Sequence, residues 1–293
     1  MESLLIIDGK KLSNQLDNSM KAEVAALRES GIEPKLVVII VGNDPASQIY
    51  VRNKHHKAIK LGITSIIERR PQDFTQPELL TLIDQYNRDE SVHGILVQLP
   101  LPKQIDESAI IRAIAIEKDV DGFSPENVGK LFNNSHDHYP VSCTPKGIMT
   151  MLAHYNIDPE GQHAVIVGDS NIVGRPMGAL LLNAGATVTY THILTKDLSS
   201  YTRTADILIV ATGVAHLIKA ADIKPGATVI DVGMDRDENG KLVGDVDYDH
   251  AKDVAGAITP VPGGVGPMTI TSLMQQTLEL AKVANNRTLE TVK

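Results

Sequence analysis

At 293 residues the chain exceeds one comfortable hydrophobic core and suits two domains of ordinary size. Its 42% apolar and 22% charged residues fit a globular protein, and a net charge of −8 disfavours nucleic acid or an anionic membrane surface as the main partner. The one cysteine, Cys143, cannot close an internal disulfide. The apolar run Leu4 to Ile7 is too short for a signal-peptide core, and nothing approaches the roughly 20 apolar residues of a membrane span, so a cytoplasmic protein is expected.

In chain order, Leu12, Leu16, Met20, Val24 and Leu27 recur at helical spacing and predict a helix from Lys11 to Arg28, stopped by Gly31. Leu36 to Val41 is apolar at every position, as in a strand buried on both faces. Asp44-Pro45 predicts an N-cap and first turn for a helix reaching Leu61-Gly62. A strand is expected from Ile63 to Ile67, a capping box at Thr75 to Glu78, a strand from His93 to Leu99, and a helix capped by Asp106. Glycine and proline are frequent from Lys118 to Pro145, which reads as loop joining two domains. A helix then starts at Thr144-Pro145. Strands are expected at 164–167, 187–190, 207–210 and 228–232, with a shorter one near 254–258 and a last helix over about 267–284. Such alternation predicts an α/β fold with parallel sheets in both halves.

From His163 to Pro176 the pattern is strand, glycine turn and helix start, which suits a pyrophosphate at a helix N-terminus. Ser170 stands where a second loop glycine is usual, so the loop alone is also a plain turn. Ala211-Thr212-Gly213 and Asp231-Val232-Gly233 add two tight turns at the carboxyl ends of strands, where such sheets bind ligands.

The chain resembles the methylenetetrahydrofolate dehydrogenase/cyclohydrolase family over nearly its whole length. The resemblance rests on Val41-Gly42-Asn43-Asp44-Pro45-Ala46-Ser47-Gln48-Ile49-Tyr50-Val51 with Lys54, on Gly94 to Pro102, and on Lys118-Asp119-Val120-Asp121-Gly122-Phe123. It continues through Cys143 to Gly147, the cofactor loop, and Thr259-Pro260-Val261-Pro262-Gly263-Gly264-Val265-Gly266-Pro267-Met268-Thr269.

The resemblance implies a folate-binding N-terminal α/β domain over 1–143, completed by a C-terminal helix at 268–293 that packs back on it. A Rossmann-type domain over 144–267 is expected to hold the dinucleotide. It implies oxidation of 5,10-methylenetetrahydrofolate and hydrolysis of the product to 10-formyltetrahydrofolate, within tetrahydrofolate interconversion and purine biosynthesis. A homodimer through the cofactor domains is expected too.

From residue type alone Lys54, beside His55, His56 and Lys57, reads as a solvated side chain, and Tyr50 as a boundary residue on the same helix face. The resemblance instead implies that Lys54 does acid–base chemistry and Tyr50 stacks on the folate. A cationic intermediate would favour proton loss from such a lysine. Gln98, otherwise a strand-end polar residue, would hold Lys54. Asp121, otherwise a turn former beside Gly122, would accept N–H bonds from the pterin edge. Ser47, Val97, Leu99 and the segment Pro262, Gly263, Gly264, Val265, Gly266, Pro267 complete the implied folate site, though that segment also suits a flexible connector. The implied cofactor contacts are Gly168, Asp169, Ser170, Val173, Gly174, Pro176, Ile193, Thr212, Gly213 and Met234. No metal is expected; His136-Asp137-His138 lacks supporting ligand spacing.

One departure bears on the cofactor. Most members of the family it resembles carry arginine after the first loop glycine, and serine plus a basic residue after the second strand, to hold the 2′-phosphate of NADP. Here Asp169, Ile193 and Leu194 stand there, and an acidic group suits the free 2′-hydroxyl of NAD. NAD is therefore expected over NADP, unless Lys196 or Arg203 supplies the missing charge. The alternatives are a dehydrogenase of a small hydroxy or amino acid, a folate dehydrogenase without ring opening, and a non-catalytic folate- or nucleotide-binding module.

Overall fold

The computed structural model describes residues 4–238 and 240–291. In chain order it contains β1 (Leu5–Ile6), α1 (Gly9–Glu29), β2 (Lys35–Val41), α2 (Pro45–Leu61), β3 (Thr64–Arg70), α3 (Gln76–Arg88), β4 (Gly94–Val97), α4 (Glu107–Ala113) and α5 (Pro125–Phe132). It continues with α6 (Cys143–His154), β5 (His163–Val167), α7 (Gly174–Asn183), β6 (Thr187–Thr191), α8 (Leu198–Thr202) and β7 (Ile207–Val210). The last elements are β8 (Thr228–Asp231), β9 (Asp235–Arg236), β10 (Leu242–Val243), α9 (Tyr248–Ala251), β11 (Ala257–Ile258) and α10 (Val265–Thr291). Among the described residues no helix is long and apolar enough to cross a membrane.

Contacts divide the chain into two compact units, one of residues 15–141 with 270–293, the other of residues 142–269 with the segment ending at Asn14. The first unit is built on a three-stranded parallel sheet, β3-β2-β4. β2 is central, with Val38 opposite Ile67 on one side and Leu96 on the other. Its run Leu36 to Val41 is buried throughout, as expected of a strand covered on both faces. Helix starts follow the sequence signals. Asp44 accepts the Ser47 N–H at 2.8 Å, Thr75 and Glu78 form the capping box, and Asp106 accepts the Ser108 N–H at 2.9 Å.

The stretch read as an interdomain loop belongs to this unit as far as Val141 and contains α5, opened by Ser124 as N-cap and Pro125 in the first turn. Its anchor is Lys118, only 9% exposed. The Lys118 ammonium donates to the carbonyls of Tyr86 (3.0 Å), Asn87 (2.8 Å) and Asp89 (2.7 Å) at the end of α3. Three charge-assisted bonds satisfy helix-end oxygens that otherwise lack partners. Lys118→Met is expected to lower unfolding free energy by about 2–4 kcal/mol, read by urea denaturation. An unchanged midpoint would show that water satisfies those carbonyls equally well.

The second unit holds a six-stranded parallel sheet in the order β1-β11-β8-β7-β5-β6. The chain leaves β5 for β6 on one side and returns to β7 on the other, the reversal beside which doubly wound sheets bind ligands. The N-terminal segment departs from the expected division. Leu5 and Ile6 pair with Ala257 and Ile258, and Ile7 is fully buried, so residues expected in the folate domain join the cofactor sheet. β9 and β10 form an antiparallel ribbon that was not anticipated.

Candidate active site

In the first unit, α2 carries three of the implied residues. Ser47 is buried in its first turn, Tyr50 is half-buried and Lys54 follows one turn later. Burial raises the Tyr50 phenol above its ordinary range, so it stays neutral at physiological pH. β4 ends at Val97, but its ladder gains one more bond when the Gln98 N–H donates to Ile39 O at 2.8 Å. The Gln98 amide then donates to Leu99 O at 2.7 Å, which turns its oxygen toward the helix. Lys54 Nζ donates to that oxygen at 3.0 Å. Lys54 and Gln98, 44 positions apart in sequence, thus form one directed pair.

Asp121 sits on a turn folded over Asp119, whose buried carboxylate accepts from Phe123 N (3.3 Å), Ser124 N (2.7 Å) and Asn127 Nδ2 (2.9 Å). Gly122 closes the turn at φ 67°, and a β-carbon there would lie 2.6 Å from the Val141 carbonyl carbon. From α10, the Gln276 amide donates to Val120 O at 2.7 Å and accepts the Val141 N–H at 2.8 Å. The C-terminal helix therefore packs on this unit, and an isolated bridge from Ile95 to Asp119 lays the turn beside β4. Asp121, Val97, Leu99 and Phe123 line one small apolar crevice. Asp119 and Gln276 were missed as supports; nothing local distinguishes them from surface polar residues.

In the second unit, the β5–α7 turn is closed by Ser170. Its hydroxyl accepts the N–H groups of Val173 (3.2 Å) and Gly174 (3.4 Å), and its carbonyl accepts that of Arg175 (3.0 Å). Serine in the second-glycine position thus caps α7 with its own oxygen atoms. Gly168 adopts φ 115°, and a β-carbon on Gly174 would lie 1.9 Å from Gly168 O. That oxygen is backbone and cannot swing aside. Gly174→Ala is expected to weaken dinucleotide binding on the order of tenfold, measured by fluorescence titration. Unaltered affinity would mean that α7 shifts freely.

Asp169 is not alone. Arg175 Nε donates to its carbonyl at 3.0 Å, and Arg175 NH2 lies 3.4 Å from its carboxylate, with both side chains about half exposed. The sequence reading overlooked this arginine. Ile193 and Leu194 are 98% and 80% exposed after β6. Arg203 is tied to its own helix through Ser199 O at 3.2 Å. Thr212 and Gly213 follow β7, and Met234 follows β8 with its sulfur 3.9 Å from where a Gly266 β-carbon would stand. Pro262 to Gly264 is no loose connector, because Lys10 N donates to Gly263 O at 2.8 Å. Val265 to Pro267 opens α10. The glycine-lined turns and their position at the carboxyl edge fit a dinucleotide. His138 lies 3.6 Å from Glu279, and among the described residues no three histidine, cysteine or carboxylate side chains gather as a metal site.

Residues 7–121 match the family model for the catalytic domain of tetrahydrofolate dehydrogenase/cyclohydrolase, and residues 142–285 match the model for its NAD(P)-binding domain. The chain belongs to the tetrahydrofolate dehydrogenase/cyclohydrolase family. It is 63% identical over 277 residues to the bifunctional protein FolD of Lactiplantibacillus plantarum, covering 94% of this chain and 97% of that protein. The crystal structure of the bifunctional FolD dehydrogenase/cyclohydrolase of Campylobacter jejuni is similar with a TM-score of 0.94 and 50% identity, over 96% of this chain and 99% of that one. That of the Trypanosoma brucei dehydrogenase-cyclohydrolase, complexed with NADP and an inhibitor, has a TM-score of 0.92 and 38% identity, over 97% of this chain and 99% of that one.

Proposed function

We propose that the chain oxidises 5,10-methylenetetrahydrofolate with a nicotinamide dinucleotide and hydrolyses the resulting 5,10-methenyl compound to 10-formyltetrahydrofolate. It is thus both an oxidoreductase and a hydrolase of one-carbon metabolism. The observation that carries this reading, beside the family match, is the bond from Lys54 Nζ to Gln98 Oε1 at 3.0 Å. A small-hydroxy-acid dehydrogenase or a passive binding module has no use for an ammonium so directed, and a dehydrogenase without ring opening has no use for its proton.

A dinucleotide held by the Gly168–Gly174 and Thr212–Gly213 turns would supply a hydride acceptor for the methylene carbon, and the substrate would become a methenyl cation shared between two nitrogens. Tyr50, kept neutral, offers its ring as a stacking face for the flat pterin. Asp121 accepts the pterin N–H groups, and Val97 and Leu99 supply apolar wall. For hydrolysis, water adds to the cationic carbon, and the bond from that carbon to N5 breaks as the carbonyl forms. Beside the methenyl cation Lys54 gives a proton to solvent; the neutral amine then takes a proton from the added water, delivers it to N5 as that bond breaks, and recovers the hydroxyl proton as the carbonyl forms. Gln98 fixes the direction of that lysine through a bond whose polarity its own contact with Leu99 O selects.

NAD is the preferred dinucleotide in this reading. Support comes from the Asp169 carboxylate, from the aliphatic Ile193 and Leu194, and from the engagement of Arg175 by Asp169. A homodimer through the cofactor unit belongs to the same proposal, since β6 is a terminal strand of its sheet, the kind of edge along which a second copy can pair. The decisive assay follows methenyl absorbance from methylenetetrahydrofolate with NAD and NADP in parallel. No absorbance with either would overturn the function. A lower KM for NADP would overturn the preference alone.

A further inference from the structure

Three aspartates at the carboxyl edge of the six-stranded sheet have no part in the chemistry above. Asp231 ends β8 and Asp245 follows β10, at 2% and 0% exposure. Asp231 accepts the N–H groups of Gly233 (2.9 Å), Asp245 (3.0 Å) and Val246 (3.0 Å). Asp245 Oδ2 accepts the N–H and hydroxyl of Thr212 and the N–H of Gly213 at 3.2 Å. The carboxylates press on bare backbone. A β-carbon at Gly233 would lie 2.2 Å from Asp245 Oδ1, and one at Gly244 would lie 1.9 Å from Asp231 Oδ2. These two residues tie the Thr212–Gly213 turn to the strand end before Met234.

The other oxygen of Asp245, Oδ1, is buried and takes no bond from backbone or basic side chain. Asp235 stands opposite Val243 on the ribbon, beside Asp245, and its Oδ2 is likewise buried with no hydrogen-bond partner. Two ionised oxygens buried face to face repel, whereas one proton between them makes a strong charge-assisted bond. Charged neighbours on the ribbon are engaged elsewhere. Arg236 donates to Gly240 O at 2.6 Å, and Asp237 accepts the Lys241 N–H at 2.8 Å. Beyond the ribbon, Asp247 faces His250 and Lys219. Asp231, pushed up to about 7 chiefly by burial, is the remaining titratable group of the cluster.

We propose that Asp235 keeps its proton and donates it to Asp245, and that this shared proton locks the β9–β10 ribbon to the Thr212–Gly213 turn. Asp235 is then a positioning residue for the dinucleotide, acting through Asp245. The proposal rests on the reading of Thr212, Gly213 and Met234 as cofactor contacts. Burial and the Asp245 carboxylate both raise the Asp235 carboxyl above the usual range. The proton is therefore held at pH values where an ordinary carboxyl has lost it, and it leaves as pH climbs through that raised value. The turn then loosens.

The test is dinucleotide affinity, by fluorescence titration from about pH 4.5 to about pH 10, for the unmodified protein, Asp235→Asn and Asp235→Ala. The unmodified protein is expected to lose about tenfold in affinity at the alkaline end. Asp235→Asn, whose amide donates at every pH, stays level, and Asp235→Ala binds weakly throughout. Cyclohydrolase turnover, which needs no dinucleotide, holds in both variants and reports an intact fold. A level curve for the unmodified protein, or an alkaline loss retained in Asp235→Asn, overturns the shared proton alone. Absence of binding at any pH overturns the cofactor reading as well. Infrared difference spectra of the protein by itself decide the proton independently. A protonated carboxyl stretch lost in Asp235→Asn supports it, and no such band overturns it.

Discussion

Lys54→Met is expected to cut the hydrolysis of 5,10-methenyltetrahydrofolate by about a thousandfold or more, the usual worth of a positioned proton-transfer group. Methionine keeps the length and apolar stem of lysine and removes only the charge and its protons. The helix does not depend on the ammonium, because α2 is held by the Asp44 cap at one end and by the left-handed Gly62 at the other. Folding and circular dichroism should therefore be unchanged. Gln98 loses its acceptor role toward Lys54 but keeps its own bond to Leu99 O. Hydride transfer needs no proton from Lys54, so methenyl absorbance should still appear and then persist. The two activities separate in one trace. A variant that forms methenyl product and clears it at the normal rate would remove Lys54 from the chemistry. Gln98→Leu should give a milder loss, since the lysine remains but its direction is no longer fixed.

The second large effect concerns the dinucleotide. Restoring the family pattern with Asp169→Arg, Ile193→Ser and Leu194→Arg together is expected to raise the NADP-to-NAD ratio of kcat/KM by about thirtyfold to a hundredfold. A like charge about 5 Å from a 2′-phosphate costs about 3 kcal/mol at an effective dielectric of about 20. Asp169 is about half exposed and already faces Arg175, so solvent and that guanidinium bring the figure closer to about 1 kcal/mol. The two added cations and the hydroxyl supply the rest. The same triple change should steepen the salt dependence of NADP binding, as charge-based affinity does. Equal ratios before and after would show that the 2′ position faces elsewhere. Arg175→Ala is a useful companion, because it tests whether the arginine screens Asp169 or serves the phosphate itself.

Much of the fold was legible in the sequence because its central strands are long and buried on both faces. Leu36 to Val41 and Ile207 to Val210 contain only apolar residues, and such runs admit few other readings. The helix caps were legible for a similar reason, since Asp44-Pro45 and Thr75 to Glu78 act within one turn. What escaped was either short or non-local. Two-residue strands such as Leu5–Ile6 and Asp235–Arg236 are too brief to show a period. The helix Pro125–Phe132 was hidden by neighbouring glycine and proline, although Ser124-Pro125 is itself a start signal. Among site residues, Lys54, Gln98 and Asp121 were named through family resemblance rather than residue type. Arg175 was passed over because its importance lies in touching Asp169 across a turn. The buried carboxylates of Asp231 and Asp245 hold their meaning only in three dimensions, where strands far apart in sequence end together.

The pairing of Leu5 with Ala257 has a consequence for synthesis. The first strand leaves the ribosome about 250 residues before its neighbour is made, an interval of roughly 12 to 50 s at ordinary elongation rates. During that time the nascent chain can assemble the sheet of Lys35–Val41, Thr64–Arg70 and Gly94–Val97, whose partners lie close by in sequence. The larger sheet has to await synthesis of Ala257 and Ile258 before the strand Leu5–Ile6 can dock.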